Sequence, residues 1–268
     1  MKLSIITVNL NNRDGLKKTI DSVVTQTFKD FEWIVIDGGS TDGSKELVEQ
    51  NADQIAYWVS EPDKGVYNAM NKGIKVAQGE YLLFLNSGDC LYEETSLEQV
   101  VRAGLDADVV CGDVMACSTE KTVRWPNLKE VTLYTFIYGT IAHSGGSFIR
   151  KSLFDRYGGY DESLRIVSDW KFFLQVVGLG DASVKCLDQI VSLFDNNGLS
   201  AKELPRLLEE RKKVLDECVP QRVLQDYRMM EEERERFAQM EKQIRSSASY
   251  RLGKALLRPV KWITGKKA

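Results

Sequence analysis

The amino-acid sequence predicts an α/β fold: a mostly parallel central sheet flanked by helices, with a C-terminal helical extension. Three observations lead there. Short apolar runs recur through the N-terminal third, each is followed by apolar residues at helical spacing, and polar turn residues gather where each run stops. Continuous apolar strands alternating with helices belong to a parallel sheet covered on both faces, and ligands of such sheets bind beyond the carboxyl ends of the strands. At 268 residues and 43% hydrophobic content, the chain can bury one sizeable α/β domain and an appendage.

Leu3 to Val8 reads as the first strand, running into Asn9, Asn11, Asn12, Asp14 and Gly15; Leu16, Ile20, Val23 and Val24 then mark a helix. Trp33-Ile34-Val35-Ile36 is a second buried strand that stops at Asp37-Gly38-Gly39-Ser40-Thr41-Asp42-Gly43, with Ser44 placed to cap the next helix. Ile55 to Val59 reads as a third strand, Val66 to Ala77 as a helix with Met70, Ile74 and Ala77 along one face, and Tyr81 to Leu85 as a wholly apolar fourth strand. Asn9, Asp37, Asp63 and Asp89 each follow a strand, where a ligand belongs. Further on, strands are expected at 108–111, 147–150 and 190–194, and helices near 97–103 and 170–177. Residues 202–241 carry 11 acidic and 9 basic side chains, the mixture of a solvated helix pair or an interaction surface. The expected division is 1–200 for the α/β domain, 201–245 for the charged helical extension and 246–268 for a basic tail.

A formal net charge of -3 argues against a nucleic-acid binder, whose domain would be basic overall. The five cysteines are scattered without a CxxC spacing, which fits a reduced, cytoplasmic chain better than a zinc knuckle or redox motif. The N-terminal apolar run is too short for a signal peptide, and no segment approaches the roughly 18 apolar residues of a membrane span. The chain is expected to be soluble or peripheral to a membrane.

Several strand ends carry groups suited to chemistry. Asp37 opens a loop whose residues also make ordinary turn and capping chemistry; functionally it would accept a hydrogen bond from a base N–H while the glycines let a ligand approach the backbone. Residues 60–74 are denser in groups for phosphates and hydroxyls than a helix packed on a sheet requires. Asp89, beside the Ser87-Gly88 turn, offers a hard oxygen ligand to a divalent cation that shares substrate phosphates. Asp169 stands near the start of an amphipathic helix, a natural position for a helix-terminal carboxylate and also one from which a hydroxyl could be deprotonated. His143, the only histidine, cannot make a multi-histidine metal site; it either contacts a substrate or orders its loop.

Together these motifs resemble the family 2 glycosyltransferases, which have the GT-A nucleotide-diphospho-sugar transferase fold, and in particular their bacterial surface-polysaccharide branch. The resemblance covers roughly residues 1–200 and rests on Ser4-Ile5-Ile6-Thr7-Val8-Asn9, Ile36-Asp37-Gly38-Gly39-Ser40-Thr41-Asp42, residues 61–74, residues 79–89 and Ser168-Asp169-Trp170. It implies that Thr7, Asn9 and Asp37 hold a nucleotide, that Asp63, Asn71, Lys72 and Asn86 line the donor pocket, and that Asp89 binds Mn²⁺ or Mg²⁺. Asp169 would be the base of an inverting single displacement, and His143 and Trp170 would face the acceptor. The implied donor is a nucleotide-sugar, with UDP as the nucleotide. The family's metal motif commonly reads Asn-Ser-Asp-Asp, whereas Gly88 stands at its third position here; many relatives also have Asp where this chain has Asn68.

Residues 242–268 contain eight Lys or Arg and no acidic residue. Leu252, Leu256, Val260 and Ile263 can share a helical face opposite Arg251, Lys254, Arg258 and Lys261, with Pro259 kinking the helix and Trp262 near its end. Such a tail suits an anionic membrane surface at the inner face of the cell membrane, and so a lipid-linked saccharide acceptor. A disordered tail or a partner-binding helix is the plainer account. Two other functions compete. A catalytically weak nucleotide-binding scaffold would explain Gly88, and a nucleotidyltransferase shares the α/β class but should carry a Gly-rich basic loop after the first strand, which Asn9 to Asp14 lacks.

Overall fold

Every residue of the first strand, β1 (Leu3–Asn9), is buried, as a strand packed on both faces requires. Around it the computed structural model, which describes residues 2–118, 121–125, 128, 130–196, 198–250 and 252, forms two compact units, Met1–Cys218 and Val219–Ala268. The first continues with α1 (Arg13–Val24), β2 (Phe31–Asp37), α2 (Ser44–Gln50), β3 (Tyr57–Ser60), α3 (Val66–Val76), β4 (Tyr81–Phe84), β5 (Cys90–Leu91) and α4 (Ser96–Ala103). It ends with β6 (Val109–Cys117), β7 (Thr122–Trp125), α5 (Leu133–Tyr138), β8 (Ser147–Arg150), α6 (Lys151–Tyr157), α7 (Ser168–Phe173), β9 (Val184–Asp195), α8 (Leu199–Lys202) and α9 (Leu204–Cys218).

The strands make one sheet in the order β3-β2-β1-β4-β8-β6-β9-β5, with β7 added to β6. Its first four strands are parallel, as the alternating pattern requires. Beyond them β8 runs antiparallel to both β4 and β6, while β9 lies parallel to β6. An irregular register between Cys111 and Val114 lets β6 exchange β8 for β7 along its length.

Leu16, Ile20 and Val23 of α1 pack with Leu3, Ile5, Trp33 and Val35 in a single apolar cluster on one face of the sheet. Asn12 caps α1 through a 3.2 Å hydrogen bond from the Gly15 amide. At α2 the cap falls one residue before the expected Ser44: Gly43 is the N-cap, Ser44 is the first helical residue, and the Ser44 amide donates to the carboxylate of Asp42. On the other face α3 lies close against β1, because a Cβ on Gly73 would stand 2.5 Å from Ile6 Cγ2. Glycine at 73 therefore sets how deeply α3 sits, and with it the position of Tyr67 in its first turn.

Composition changes near Ser200, but the compact unit runs on through α9. Glu210 accepts the backbone amides of Arg165 and Ile166 at 3.0 and 2.9 Å, which ties α9 to the segment leading into α7. The second unit contains α10 (Gln221–Ser246), on which Met230, Phe237, Met240 and Ile244 are exposed. Of the residues named for the expected basic amphipathic helix, Leu252 alone is described; Arg251, Lys254, Leu256, Arg258, Pro259, Val260, Lys261, Trp262 and Ile263 lie outside the described residues.

Candidate active site

At the carboxyl end of the sheet lies a cleft of about 660 Å³ lined by, among others, Asn86, Asp89, His143, Asp169, Trp170 and Asp195. The chain reaches it by ending strands there. β4 runs out into Asn86 and Asp89, β9 ends on Asp195, and α7 opens with Ser168 and Asp169.

Asp169 is held from two sides. Its Oδ1 lies 2.7 Å from the Tyr67 hydroxyl, which shares its single proton with the carbonyl of Ile166 at 2.5 Å. Its Oδ2 lies 3.7 Å from His143 Nδ1. Burial pushes the Tyr67 phenol well above its ordinary range, and Asp169 pushes it further, so it stays a donor. His143 is stacked on Phe84 at 4.8 Å between ring centres, and its Nε2 lies 2.6 Å from the hydroxyl of Tyr160, whose phenol burial also holds protonated. Burial lowers the imidazole's pKa although Asp169 works the other way, so the ring is neutral. The tautomer with its proton on Nδ1 lets Nε2 accept from Tyr160 and turns a donor toward Asp169.

Asp89 is 4% exposed. Its Oδ1 accepts the Asp195 amide at 2.8 Å and its Oδ2 accepts the Ser144 hydroxyl. Burial, with the nearby Asp195 charge, pushes its carboxyl up to about 7, and the bonds from Ser144 and Asp195 offset only part of that. Asp195 also reaches over the turn: its Oδ2 would lie 3.4 Å from a Cβ built on Gly88, whose φ of +106° favours glycine. The carboxylate missing at position 88 therefore has a neighbour from another strand standing over the place where that side chain would begin. Asn86 Oδ1 is buried without a hydrogen-bond partner. Among the described residues no group of three or more His, Cys, Asp or Glu side chains is arranged to hold a metal. The available set is thus two carboxylates and an amide oxygen, all hard ligands, which fits a Mg²⁺- or Mn²⁺-like ion that shares substrate phosphates.

The expected nucleotide residues sit beside the cleft rather than on its wall. Asp37 accepts from Asn9 at 2.8 Å, from the Ser40 hydroxyl at 2.5 Å and amide at 2.9 Å, and from Ser60 at 2.6 Å. Burial pushes its pKa up, but the hydrogen bonds from Ser40, Ser60 and Asn9 outweigh it and hold the carboxyl below the usual range. With four donors on two oxygens, Asp37 orders the Gly38–Ser40 loop and leaves Asn9 Oδ1 buried and unpartnered. Asp63 crowds Gly38 from outside, its Oδ2 lying 2.5 Å from where a Cβ would be. Thr7 is fully buried and accepts the Trp33 indole N–H at 3.1 Å, so its hydroxyl faces the core. Asn71 brackets the backbone of Tyr160, bonding its carbonyl and amide at 2.8 Å each, and lines a separate, smaller pocket. Lys72 is paired with Glu61 at 2.7 Å. The structure thus brings Asn86, Asp89, His143, Asp169 and Trp170 to one cleft, groups Asn9, Asp37 and Asp63 next to it, and gives Thr7, Asn71 and Lys72 structural partners.

Sequence reasoning did not single out Tyr67, Ser144, Asp195 or Arg211. Asp195 had a signal: like Asp37 it ends an apolar strand. Arg211 had none, since it is one cation among many in a charged helix.

The model of the family described as Glycosyl transferase family 2 matches residues 4–158, more than half of the chain. A PGL/p-HBAD biosynthesis glycosyltransferase of Mycobacterium bovis is 35% identical over 201 residues, covering 73% of this chain and 77% of the relative. An uncharacterized glycosyltransferase of Mycobacterium tuberculosis is 32% identical over 210 residues, covering 76% and 78%. Among solved structures, Staphylococcus aureus TarS 1-349 in complex with UDP aligns with a TM-score of 0.63 at 23% identity, covering 73% of this chain and 60% of that one. The mannosyltransferase PcManGT of Pyrobaculum calidifontis, in complex with GDP-Man and Mn²⁺, aligns with a TM-score of 0.58 at 16% identity, covering 76% and 60%. At those identities the likeness speaks for the fold, the GT-A arrangement of a curled mixed sheet between helices. By the family match and the curated relatives together, this chain belongs to family 2 of the glycosyltransferases.

Proposed function

We propose that the cleft transfers a sugar from a nucleotide-diphosphate sugar, with UDP as the nucleotide, to a hydroxyl of a saccharide acceptor with inversion at the anomeric carbon. The observation that carries this is the pairing, in one cleft, of Asp169 held by Tyr67 and His143 with the Asp89–Asp195 carboxylates. The acceptor oxygen bonds to the anomeric carbon while its proton passes to Asp169, and the bond to the diphosphate breaks with its electron pair leaving on the diphosphate oxygen. Tyr67 and His143 orient the carboxylate without donating a full charge to it. The ordered Asn9–Asp37–Ser40 loop and Asp63, beside the cleft, offer the polar edge for the nucleoside.

A divalent cation, when bound, supplies Lewis-acid neutralisation of the charge building on the departing diphosphate. Asp89, Asp195 and Asn86 are the residues of this chain suited to hold it, and the structural neighbour solved with GDP-Man and Mn²⁺ supports a divalent cation in a protein of this fold. Asp195 over Gly88 also weakens the scaffold alternative, which rested on the missing carboxylate. The lipid-linked acceptor and membrane docking by residues 246–268 remain part of the same proposal, supported by the charge of the tail.

The test is transfer and nucleotide-sugar hydrolysis by the purified chain with Mn²⁺ or Mg²⁺. Asp169→Asn should lower kcat about 10²- to 10⁴-fold, the usual contribution of a general base; transfer at the wild-type rate would remove Asp169 from the chemistry. Calorimetry with Mn²⁺ in the presence of UDP should show weaker metal binding in both Asp89→Asn and Asp195→Asn. Unchanged affinity in Asp195→Asn would leave Asp89 as the sole carboxylate ligand.

A further inference from the structure

Arg211 is the group in this cleft that the transfer chemistry does not use. It projects from α9, its guanidinium lies 4.9 Å from the centre of the Trp170 ring, and it lines the cleft. Its Nε is buried without a hydrogen-bond partner, and it makes no ion pair among the described residues. Arginine stays charged under all conditions a protein meets, so a buried guanidinium donor without an acceptor is a group awaiting an anion. Asp169 does not serve: Tyr67 occupies its Oδ1 and His143 faces its Oδ2. Two more cations, Arg165 and Lys202, line the same cleft. Arg165 is tied to Glu203 at 2.9 Å, whereas Lys202 has no ion pair among the described residues.

The position of Arg211 separates two possible anions, the donor's diphosphate and a charged group on the acceptor. Arg211 covers Trp170, the residue after Asp169, and its charge acts on Asp169. Asp89 is held on its side of the cleft by Ser144 and the Asp195 amide. Arg211 therefore belongs to the base side of the cleft, where the attacking hydroxyl must lie. Trp125, half-exposed on β7, lines the same cleft and offers a flat apolar face for a sugar ring.

We propose that Arg211, assisted by Lys202, binds an anionic group of the acceptor, so that the second substrate is a phosphate- or carboxylate-bearing saccharide rather than a neutral one. The proposal rests on the transferase reading of the cleft and adds the acceptor's chemical class. Planar, bidentate recognition of either oxyanion suits a guanidinium better than an ammonium.

The test uses the full chain. Calorimetry first measures UDP binding with Mg²⁺ and then, on the UDP-loaded protein, titrates glycerol 3-phosphate, glucuronate and their neutral counterparts glycerol and glucose. At least one anion should bind measurably while its neutral counterpart does not; the stronger anion tells phosphate from carboxylate. Arg211→Gln should weaken that binding about 10- to 100-fold, as loss of a charge-assisted hydrogen bond does, and Arg211→Lys should restore part of it, which guards against a folding defect. Anions that bind no better than the neutral pair, or as well to Arg211→Gln, overturn the proposal. Weaker UDP binding in Arg211→Gln would assign the arginine to the donor's diphosphate and overturn it too. Failure of the wild-type chain to bind any nucleotide diphosphate would strike the transferase reading itself, and it is read before any acceptor mimic is added.

Discussion

Tyr67 is the residue on which the geometry of Asp169 turns. Its hydroxyl lies 2.7 Å from the Asp169 carboxylate, and it comes from α3, far away in sequence. Tyr67→Phe removes the hydrogen bond and little volume. Leaving one carboxylate oxygen unoriented should cost about 1–2 kcal/mol of transition-state stabilisation, roughly a 5- to 30-fold fall in kcat, with the nucleotide-sugar KM within about twofold of wild type. A pre-steady-state burst assay separates this from slow product release. A kcat equal to that of wild type would mean that His143 alone orients the base. Asp169 itself was legible in sequence, because Ser168-Asp169-Trp170 opens an amphipathic stretch. Its partner Tyr67 was not, because it lies on a motif whose neighbours Asn68 and Asn71 looked the more polar; it took packing to turn Asn71 toward Tyr160 and Tyr67 toward the base.

Among the elements, α9 carries the least expected consequence. Glu210 takes up the two backbone amides just before α7 and is a partly buried side chain, 12% exposed. Backbone bonds with carboxylate oxygens hold its pKa below the usual range, overcoming the upward push of burial. Glu210→Ala leaves two amides without acceptors and should cost about 2–3 kcal/mol in chemical denaturation, and it should lower kcat by freeing the approach to Asp169. An unaltered denaturation midpoint would show that water replaces the carboxylate. The close seat of α3 yields a second outcome: Gly73→Ala gains about 1 kcal/mol of helix propensity but drives a methyl into Ile6, an overpacking that typically costs about 1–3 kcal/mol, so the melting temperature should fall. Strands β1 to β4 were readable as apolar runs. The strands of the second half were readable only as short pieces, β6 and β9 each extending past the apolar core of its run, because long-range pairing rather than local pattern extends them.

For the molecule as a whole, charge placement sets two behaviours. Asp161 is bound by Lys171 at 2.6 Å, and hydrogen bonds from Lys171 and Ser163 outweigh the upward push of burial to hold its carboxyl at about 2. A depressed carboxyl contributes stability that is present above its unfolded value near 3.8 and is lost as pH falls toward 2. The full shift would be worth over 2 kcal/mol, and with the side chain 32% exposed a screened value of about 1 kcal/mol is expected. Asp161→Asn should therefore be less stable than wild type at pH 7, and the two unfolding curves should converge between about pH 4 and pH 2; a difference that persists at pH 2 would point to packing instead. The tail makes the other behaviour: vesicles rich in anionic lipid should pellet the full chain at low salt, and neither vesicles in 0.5 M salt, a concentration at which the Debye length falls to about 4 Å, nor a chain ending at residue 245 should pellet. Sedimentation of the shortened chain with the vesicles would move the docking surface elsewhere.

By itself the sequence determined the strand-helix alternation and the parallel half of the sheet, which follow from local apolar periodicity, and the places of Asp37 and Asp89 at strand ends and of Asp169 at a helix start, which follow from turn chemistry; the family followed from the resemblance of its motifs. Only the tertiary structure decided which polar groups meet. It turned Thr7 into the core, spent Asp37 on its own loop, brought Asp195 over Gly88 and set Arg211 against Trp170. Apart from the Asp37–Ser40 bond, which spans three positions, these are contacts between residues tens to more than a hundred positions apart, and no local pattern encodes them, because they depend on where the sheet's curl and the return of α9 carry each side chain.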